Sequence, residues 1–253
     1  MHITLWLWLL AAFGAFLIGL SKTGLSGVSI LTIVIFAHVL PAKESTGAVL
    51  PLLICADVVA VTAFRRHAVW SHVLRLFPWA AAGVVAGTIV LHYIDNLTVK
   101  HMIGAIIVLI VIFQLVRMRS DARAASSVTA DVPKLSRPVT YATGLLAGFT
   151  TMTANAAGPI MALYLLAAGL PKMEFIGTGA WYFLLMNLFK VPFSAGLGLI
   201  NVHSLLLDLS LSPFAVVGAL AGKAIIRHIN QNLFAGLALF FALVGGLNLV
   251  LSR

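Results

Sequence analysis

Ten apolar runs, separated by short polar segments, make up most of this sequence. They lie at roughly 3–20, 25–40, 46–64, 73–94 and 99–117, and again at roughly 139–150, 156–169, 174–195, 204–226 and 232–251. Most of the later runs in each half have the about 20 residues that a helix needs to cross a hydrocarbon core. A mean hydropathy of +1.08, with 9% charged residues, excludes a soluble domain of this size. The sequence therefore predicts an all-α polytopic membrane protein.

The excess of positive charge does not indicate a nucleic-acid partner. The formal net charge is +9, but the basic residues lie in short loops between apolar runs and not along one face. Such residues are better interpreted as topology determinants beside an anionic leaflet. The N-terminal segment lacks Lys and Arg before its first apolar run, so we do not expect a removable signal peptide.

Metal and disulfide chemistry is also not expected. The chain has a single cysteine, Cys55, inside an apolar run, so no disulfide framework can form. The histidines have no cysteine or carboxylate spaced as a ligand set, so we predict neither a metal site nor a cofactor.

Two polar breaks interrupt the apolar runs near the start of each half. The first is Gly19 to Ser29, GLSKTGLSGVS, and the second is Gly148 to Pro159, GFTTMTANAAGP. At membrane depth a non-helical segment is tolerated only where it faces protein or a water-filled cavity. The two breaks are therefore predicted to be the halves of one binding site.

The two halves of the chain have the pattern of an internal duplication. PAKESTG at 41–47 aligns with PKMEFIG at 171–177 at a shift of 130, and the same shift pairs Asp57 with Asn187. We predict a first membrane repeat over 1–117, a basic cytoplasmic linker over 118–138 that forms a mobile loop, and a second repeat over 139–253. Each repeat is expected to contain a broken helix or re-entrant hairpin followed by three transmembrane helices.

The loop charges favour inverted repeats over parallel ones. With the long basic linker inside, the inverted arrangement places eleven Lys and Arg residues in the cytoplasm and three outside. A parallel arrangement gives nine against five. Inverted repeats with interrupted helices are a recurrent architecture of secondary transporters, which bind substrate near the midplane.

Residues at and near the breaks are suited to an oxyanion. We expect the N-terminus of the second half-helix at each break to offer free N–H groups to an anion. Neither break contains a carboxylate. The candidate substrate-binding residues are Lys22, Thr23, Ser26, Thr150, Thr151, Thr153, Asn155, Asn187 and Lys190. The alternatives are close helix packing for the small and hydroxyl residues and snorkelling for Lys190.

Asp57 is interpreted as the only carboxylate deep in an apolar run. It is either a structural partner for Lys22 or a proton-coupling group, and the sequence leaves both open. Trp181 and Tyr182 could close the substrate cavity, although core packing is the commoner role of such aromatic side chains.

The run TMTANAAGPIMALYLLAAGLPKMEFIGTGAWYFLLMNLFKVPF, at 151–193, resembles the TauE/SafE family of sulfite exporters. A weaker copy, GLSGVSILTIVIFAHVLPAKESTGAVLPLL, occupies 24–53, and the resemblance covers nearly the whole chain. The resemblance implies a multi-pass protein of the bacterial inner membrane that moves sulfite or a small organosulfonate such as sulfoacetate, usually outward.

The sequence thus predicts a secondary transporter of a small sulfur oxyanion that works by alternating access, with proton coupling as a further conjecture. It is not expected to be an enzyme. The rivals are a passive anion channel and an intramembrane enzyme acting on a lipid-linked substrate. The expected partners are the anion and membrane lipid, not nucleic acid, and a homo-oligomer is left open.

Overall fold

A computed structural model describes residues 4–23, 28–124, 136–225 and 231–251, and these residues are almost entirely helical, with no strand among them. The helices of this described part, in chain order, are α1 Leu5–Thr23, α2 Ser29–Val39, α3 Ala42–Ala48, α4 Leu50–Phe64, α5 Trp70–Tyr93, α6 Asn96–Ala124, α7 Arg137–Ala154, α8 Ala157–Ala167, α9 Lys172–Gly196, α10 Val202–Ile225 and α11 Gln231–Leu251.

Five helical segments are long and apolar enough to cross a membrane. They are α1, the α3–α4 segment with the 3-10 turn that follows it, α5, the part of α6 up to Val116, and α10. The α2 and α8 helices have 11 residues each and are too short to span a hydrocarbon core. The α9 helix has 25 residues but carries the buried Asn187 and Lys190. The protein is therefore an all-α polytopic membrane protein, as the sequence predicted.

Two closely packed helix pairs hold the halves together, and both depend on glycine. In the pair of α5 and α7, a Cβ added to Gly148 would overlap the backbone carbonyl of Ala80. In the pair of α1 and α10, a Cβ at Gly19 would overlap the carbonyl of Ala215. Small residues at such crossings let helix backbones approach closely in a membrane. Because α1 corresponds to α7 and α5 to α10, each pair becomes the other when the two halves are exchanged.

The contacts also give the relative directions of corresponding helices. Gly104 of α6 lies against Gly246 and Val250 of α11, and Ile107, further along α6, lies against Gly246. Residue numbers therefore rise along α6 as they fall along α11, so the two helices are antiparallel.

The same is true of α4 and α9. Asp57 contacts Asn187, and Phe64 contacts Gly177. In both of these pairs the helices therefore run antiparallel, which is what inverted repeats would require. The inverted repeats and their sidedness in a membrane stay a prediction.

The breaks are shorter than the sequence indicated. The α1 helix continues to Thr23, and α2 begins at Ser29, with residues 24–27 outside the described part. In the second half α7 continues to Ala154, and the hydroxyl groups of Thr150 and Thr153 donate to carbonyls of the same helix. Only two residues separate α7 from α8.

Helices extend into both ends of the segment predicted as a linker. The α6 helix runs on to Ala124, so the first residues of the 118–138 segment are helical, and α7 begins at Arg137. Residues 125–135, where the predicted mobile loop falls, lie outside the described part.

Candidate functional site

The second break is a left-handed turn at Asn155. This residue has φ 54° and ψ 28°, a conformation that asparagine adopts more readily than most residues. Its backbone N–H donates to the Thr151 carbonyl, and the next N–H, that of Ala156, donates to the Thr150 carbonyl, each at 3.1 Å. The turn thus ends α7 with two of its last carbonyls satisfied, and α8 starts in a new direction.

Lys190, in the middle of α9, donates hydrogen bonds to this break. Its ammonium group donates to the Thr151 carbonyl and to Asn155 Oδ1, each at 2.7 Å, and lies 3.4 Å from Thr151 Oγ1. The side chain is fully buried. The C-terminal end of a helix carries partial negative charge, so a cation is favourable there. Lys190 therefore ties the middle of α9 to the end of α7.

Asn155 also ties the second break to the first repeat. Its Nδ2 atom donates to the Thr46 carbonyl at 2.9 Å, while its Oδ1 atom accepts from Lys190. One amide side chain therefore joins α3, the second break and α9. We conclude that the two-residue break is fixed by side chains from both halves.

A second polar cluster joins the first break to the long central helices. Lys22 Nζ lies 2.8 Å from Asp57 Oδ1, and Asn187 Nδ2 donates to Asp57 Oδ2 at 2.6 Å. The carboxylate is fully buried, whereas the lysine side chain is 12% exposed. Oδ1 has the ammonium as a charge partner without an aligned hydrogen bond. Lys22 therefore retains donor capacity toward the space beside it.

That space is a cavity of about 60 Å³ between the two breaks, which has room for a few water molecules. Its polar lining residues are Ser21, Lys22, Ser29, Thr32, Ser45, Thr46, Thr151, Asn155 and Asn187. Apolar side chains complete the wall, among them Phe183 and Leu53. We call this space the polar cavity.

A second cavity of about 70 Å³ adjoins the polar cavity at Lys22. It shares Ser21, Lys22, Gly158 and Phe183 with the polar cavity, and the rest of its wall is apolar: Met161, Ala162, Leu165, Phe175, Ile176, Gly179 and Ala180. We call it the apolar cavity. The Phe183 ring stacks over the lysine, with Lys22 Nζ 4.5 Å from the ring centroid.

The structure brings several of the predicted site residues together. Lys22, Thr151, Asn155 and Asn187 line the polar cavity, and Asp57 contacts two of them. Their predicted contact with substrate stays a prediction.

Other predicted residues lie away from the cavity lining. Thr23 is buried and lies where a Cβ at Gly222 would meet it, so it serves the packing of α1 on α10. Thr150 and Thr153 donate to carbonyls within α7. Lys190 donates to the Thr151 carbonyl and does not line the polar cavity. Ser26 is outside the described residues.

Two helix ends meet at the second break. Carbonyls at the C-terminal end of α7 accept from Lys190 and from the N–H groups of the turn. The first turn of α8 contains Pro159, which has no N–H, and Gly158, which lines the polar cavity. The predicted role of the α8 N-terminus in binding an anion stays a prediction.

The sequence did not indicate five of the nine polar lining residues. Ser45 and Thr46 belong to the PAKESTG segment, which had served only as a marker of the repeat. Ser21, Ser29 and Thr32 lie in or next to the first break, where hydroxyl spacing was a usable signal. Asp208, buried in α10, is a second carboxylate within an apolar span, so Asp57 is not the only one. It lies outside the lining of both cavities.

No metal centre is formed by the part of the chain that the structure describes. Within it, no group of three or more His, Cys, Asp or Glu side chains could hold a metal ion. The charged groups beside the polar cavity there are two lysines and one carboxylate.

Comparison with curated proteins and with solved structures gives no match. A family model described as sulfite exporter TauE/SafE matches residues 9–249, nearly the whole chain. The matched region contains both breaks, the long central helices and every residue of the two polar clusters. The family is one of membrane transporters, in agreement with the helical, multi-pass fold. The chain therefore belongs to the TauE/SafE sulfite exporter family.

Proposed function

We propose that this protein is a secondary transporter that exports a small sulfur oxyanion, sulfite or an organosulfonate such as sulfoacetate, across the bacterial inner membrane. The observation that carries the proposal is the position of Lys22. Its ammonium group is paired with a buried carboxylate on one side and lines a hydroxyl-rich cavity on the other. A cation among hydroxyl groups suits an oxyanion.

The hydroxyl groups of the polar cavity provide the neutral part of the anion site. Those of Ser21, Thr32, Ser45 and Thr46 each donate to a carbonyl of their own helix at 2.7–2.8 Å. A hydroxyl has a single proton but rotates freely, so it can transfer its hydrogen bond to a bound anion. Hydrogen bonds to an ionised acceptor are roughly twice as strong as neutral ones, which favours that rotation.

An anion in this cavity would compete with Asp57 for Lys22. The carboxylate would then lose its charge partner and keep only the Asn187 amide. A proton taken up by Asp57 would compensate the loss, because a buried, unpaired carboxylate is strongly unfavourable. The anion and the proton would then cross in the same direction, and this competition is the route by which we propose that transport is coupled to protons. Net export then requires an outward anion gradient that exceeds the inward proton gradient.

A carrier is better supported than a passive channel. The polar and apolar cavities adjoin at Lys22 and Phe183, two large side chains that line both. The antiparallel directions of corresponding helices support inverted repeats, which alternately open to the two sides. We therefore propose alternating access around the break residues, with the repeats inverted in the membrane.

The test is flux into proteoliposomes that contain the purified full chain. We expect saturable uptake of labelled sulfite or sulfoacetate, driven uphill by an imposed pH gradient. Lys22→Gln should abolish this uptake, while the matched control Lys172→Gln, an exposed lysine at the start of α9, should leave it unchanged. Purely downhill, non-saturating flux would indicate a channel. Equal activity of the two variants would refute the Lys22 site.

A further inference from the structure

The polar and apolar cavities occupy equivalent positions in the two repeats. The shift of 130 residues that aligns the halves converts lining residues of the first cavity into lining residues of the second. The pairs are Thr32 with Ala162, Ser45 with Phe175, Thr46 with Ile176 and Val49 with Gly179. The two spaces are therefore one structural feature that occurs twice, once in each repeat.

The paired cavities differ in polarity. Where the first repeat has the hydroxyl groups of Thr32, Ser45 and Thr46, the second repeat has a methyl, a phenyl and a branched alkyl group. Burying a charge without hydrogen-bonding partners is costly. An anion can therefore rest in the polar cavity, whereas the apolar cavity offers it little more than Lys22 and Ser21 at its edge.

The boundary between the cavities consists of four residues that line both. Two of them, Ser21 and Gly158, are small, so the large side chains at the boundary are Lys22 and Phe183. The Phe183 ring lies over the lysine ammonium group and is only partly buried. A phenylalanine side chain can rotate away from such a position without any change in the backbone.

We propose that Phe183 is the gate between the two cavities, and that Leu53, its equivalent in the first repeat, takes this position in the alternate state. Leu53 lines only the polar cavity in the present structure. In a carrier of inverted repeats, equivalent segments exchange their environments as the protein turns over. This gate rests on the proposed transport function but not on the identity of the anion.

The experiment uses single cysteines at one pair of equivalent positions. In a Cys55→Ser background, Thr32→Cys reports on the polar cavity and Ala162→Cys on the apolar one. A charged, membrane-impermeant methanethiosulfonate is applied to right-side-out and to inside-out membrane vesicles that contain the full chain. We expect each cysteine to be modified from one side only, and the two from opposite sides.

Removal of the ring should open the boundary. With Phe183→Ala, we expect both cysteines to be modified from both sides. Phe183→Leu, which copies the equivalent residue, keeps an apolar side chain there and should preserve one-sided labelling even if the alanine variant fails to fold. The matched control is Phe189→Ala, an aromatic residue of the same helix that packs on Phe77 and lines neither cavity.

Labelling of both cysteines from the same side in the native background, or one-sided labelling that persists in folded Phe183→Ala, would overturn the gate. A loss of sidedness in Phe189→Ala as well would also overturn it, because the effect would not be specific to the boundary. If the two cysteines are labelled from opposite sides but no sulfite or sulfoacetate flux is found, the substrate assignment is wrong and the proposed gate is retained. Flux without opposite sidedness refutes the gate alone.

Discussion

Asp57 and Asn187, which are 130 positions apart and equivalent in the two predicted repeats, are hydrogen-bonded to each other at 2.6 Å. Equivalent residues can touch only close to the axis that relates two repeats, so the predicted axis would pass through the polar cluster. Lys22 joins the cluster through Asp57, and Asn187 also lines the polar cavity. The site of proposed binding therefore lies where the two halves meet.

Loss of either member of the Lys22 and Asp57 pair should destabilise the protein. Asp57→Leu or Lys22→Met alone leaves a charge without its partner, and breaking a buried pair typically lowers stability by about 3–5 kcal/mol. The double variant should recover most of the free energy of unfolding, because an apolar pair of similar size is often neutral. Unfolding in a denaturing-detergent titration measures this, and no recovery in the double variant would contradict a direct pair. Transport should stay absent in all three variants.

The left-handed turn at Asn155 predicts different stabilities for the variants Asn155→Gly and Asn155→Ala. Asn155→Gly and Asn155→Ala both lose the contacts with Lys190 and with the Thr46 carbonyl. Only alanine also has to hold a left-handed backbone, which costs about 1–2 kcal/mol for a residue with a Cβ. The alanine variant should therefore unfold more easily than the glycine variant by about that amount. Equal stability of the two variants would show that the turn relaxes.

Close packing of α5 on α7 predicts that Gly148 tolerates no side chain. A Cβ there would overlap the Ala80 carbonyl, so Gly148→Ala should force the helices apart at a cost of about 1–3 kcal/mol, the range seen for overpacked cores. Gly196→Ala is the matched control, because nothing lies within 4 Å of the added Cβ. Thermal unfolding in detergent compares the two variants. A control as unstable as Gly148→Ala would contradict the packing explanation, because helix propensity favours alanine over glycine in both variants.

Inverted repeats predict the membrane sides of three helix ends. A cysteine at Lys172, where α9 begins, should be labelled from the cytoplasm, and one at Gly196, where α9 ends, from outside. A cysteine at Lys43, in the corresponding α3–α4 segment, should be labelled from outside because that segment runs the opposite way. Labelling of Lys43→Cys and Lys172→Cys from the same side would show parallel repeats.

The sequence was sufficient to predict the helices, and several residues predicted for the site lie together around one cavity. The apolar runs correspond to the observed helices within a few residues, because a membrane span needs an uninterrupted apolar segment. The breaks came out shorter than predicted. Threonine hydroxyl groups can donate to carbonyls of their own helix, so a threonine-rich segment can remain helical at its end.

The orientation of individual side chains could not be predicted. Trp181, Tyr182 and Phe183 follow one another on α9, and only the packing of that helix decides which of them faces a cavity. Trp181 packs on Trp70, Tyr182 is fully buried, and Phe183 lines the cavities. The contacts of Lys190 were equally unpredictable, since its acceptors come from α7 and from the break, 39 and 35 positions away in sequence.

The contact between Asp57 and Asn187 also bears on how such a chain could arise. A dimer of two first halves would place two carboxylates against each other on the axis, and a dimer of two second halves would leave that axis without an acid to meet a lysine. If two such halves are joined in one polypeptide, the two equivalent positions no longer have to carry the same residue. One acid, Asp57, can then lie at the centre and contact both Lys22 and Asn187.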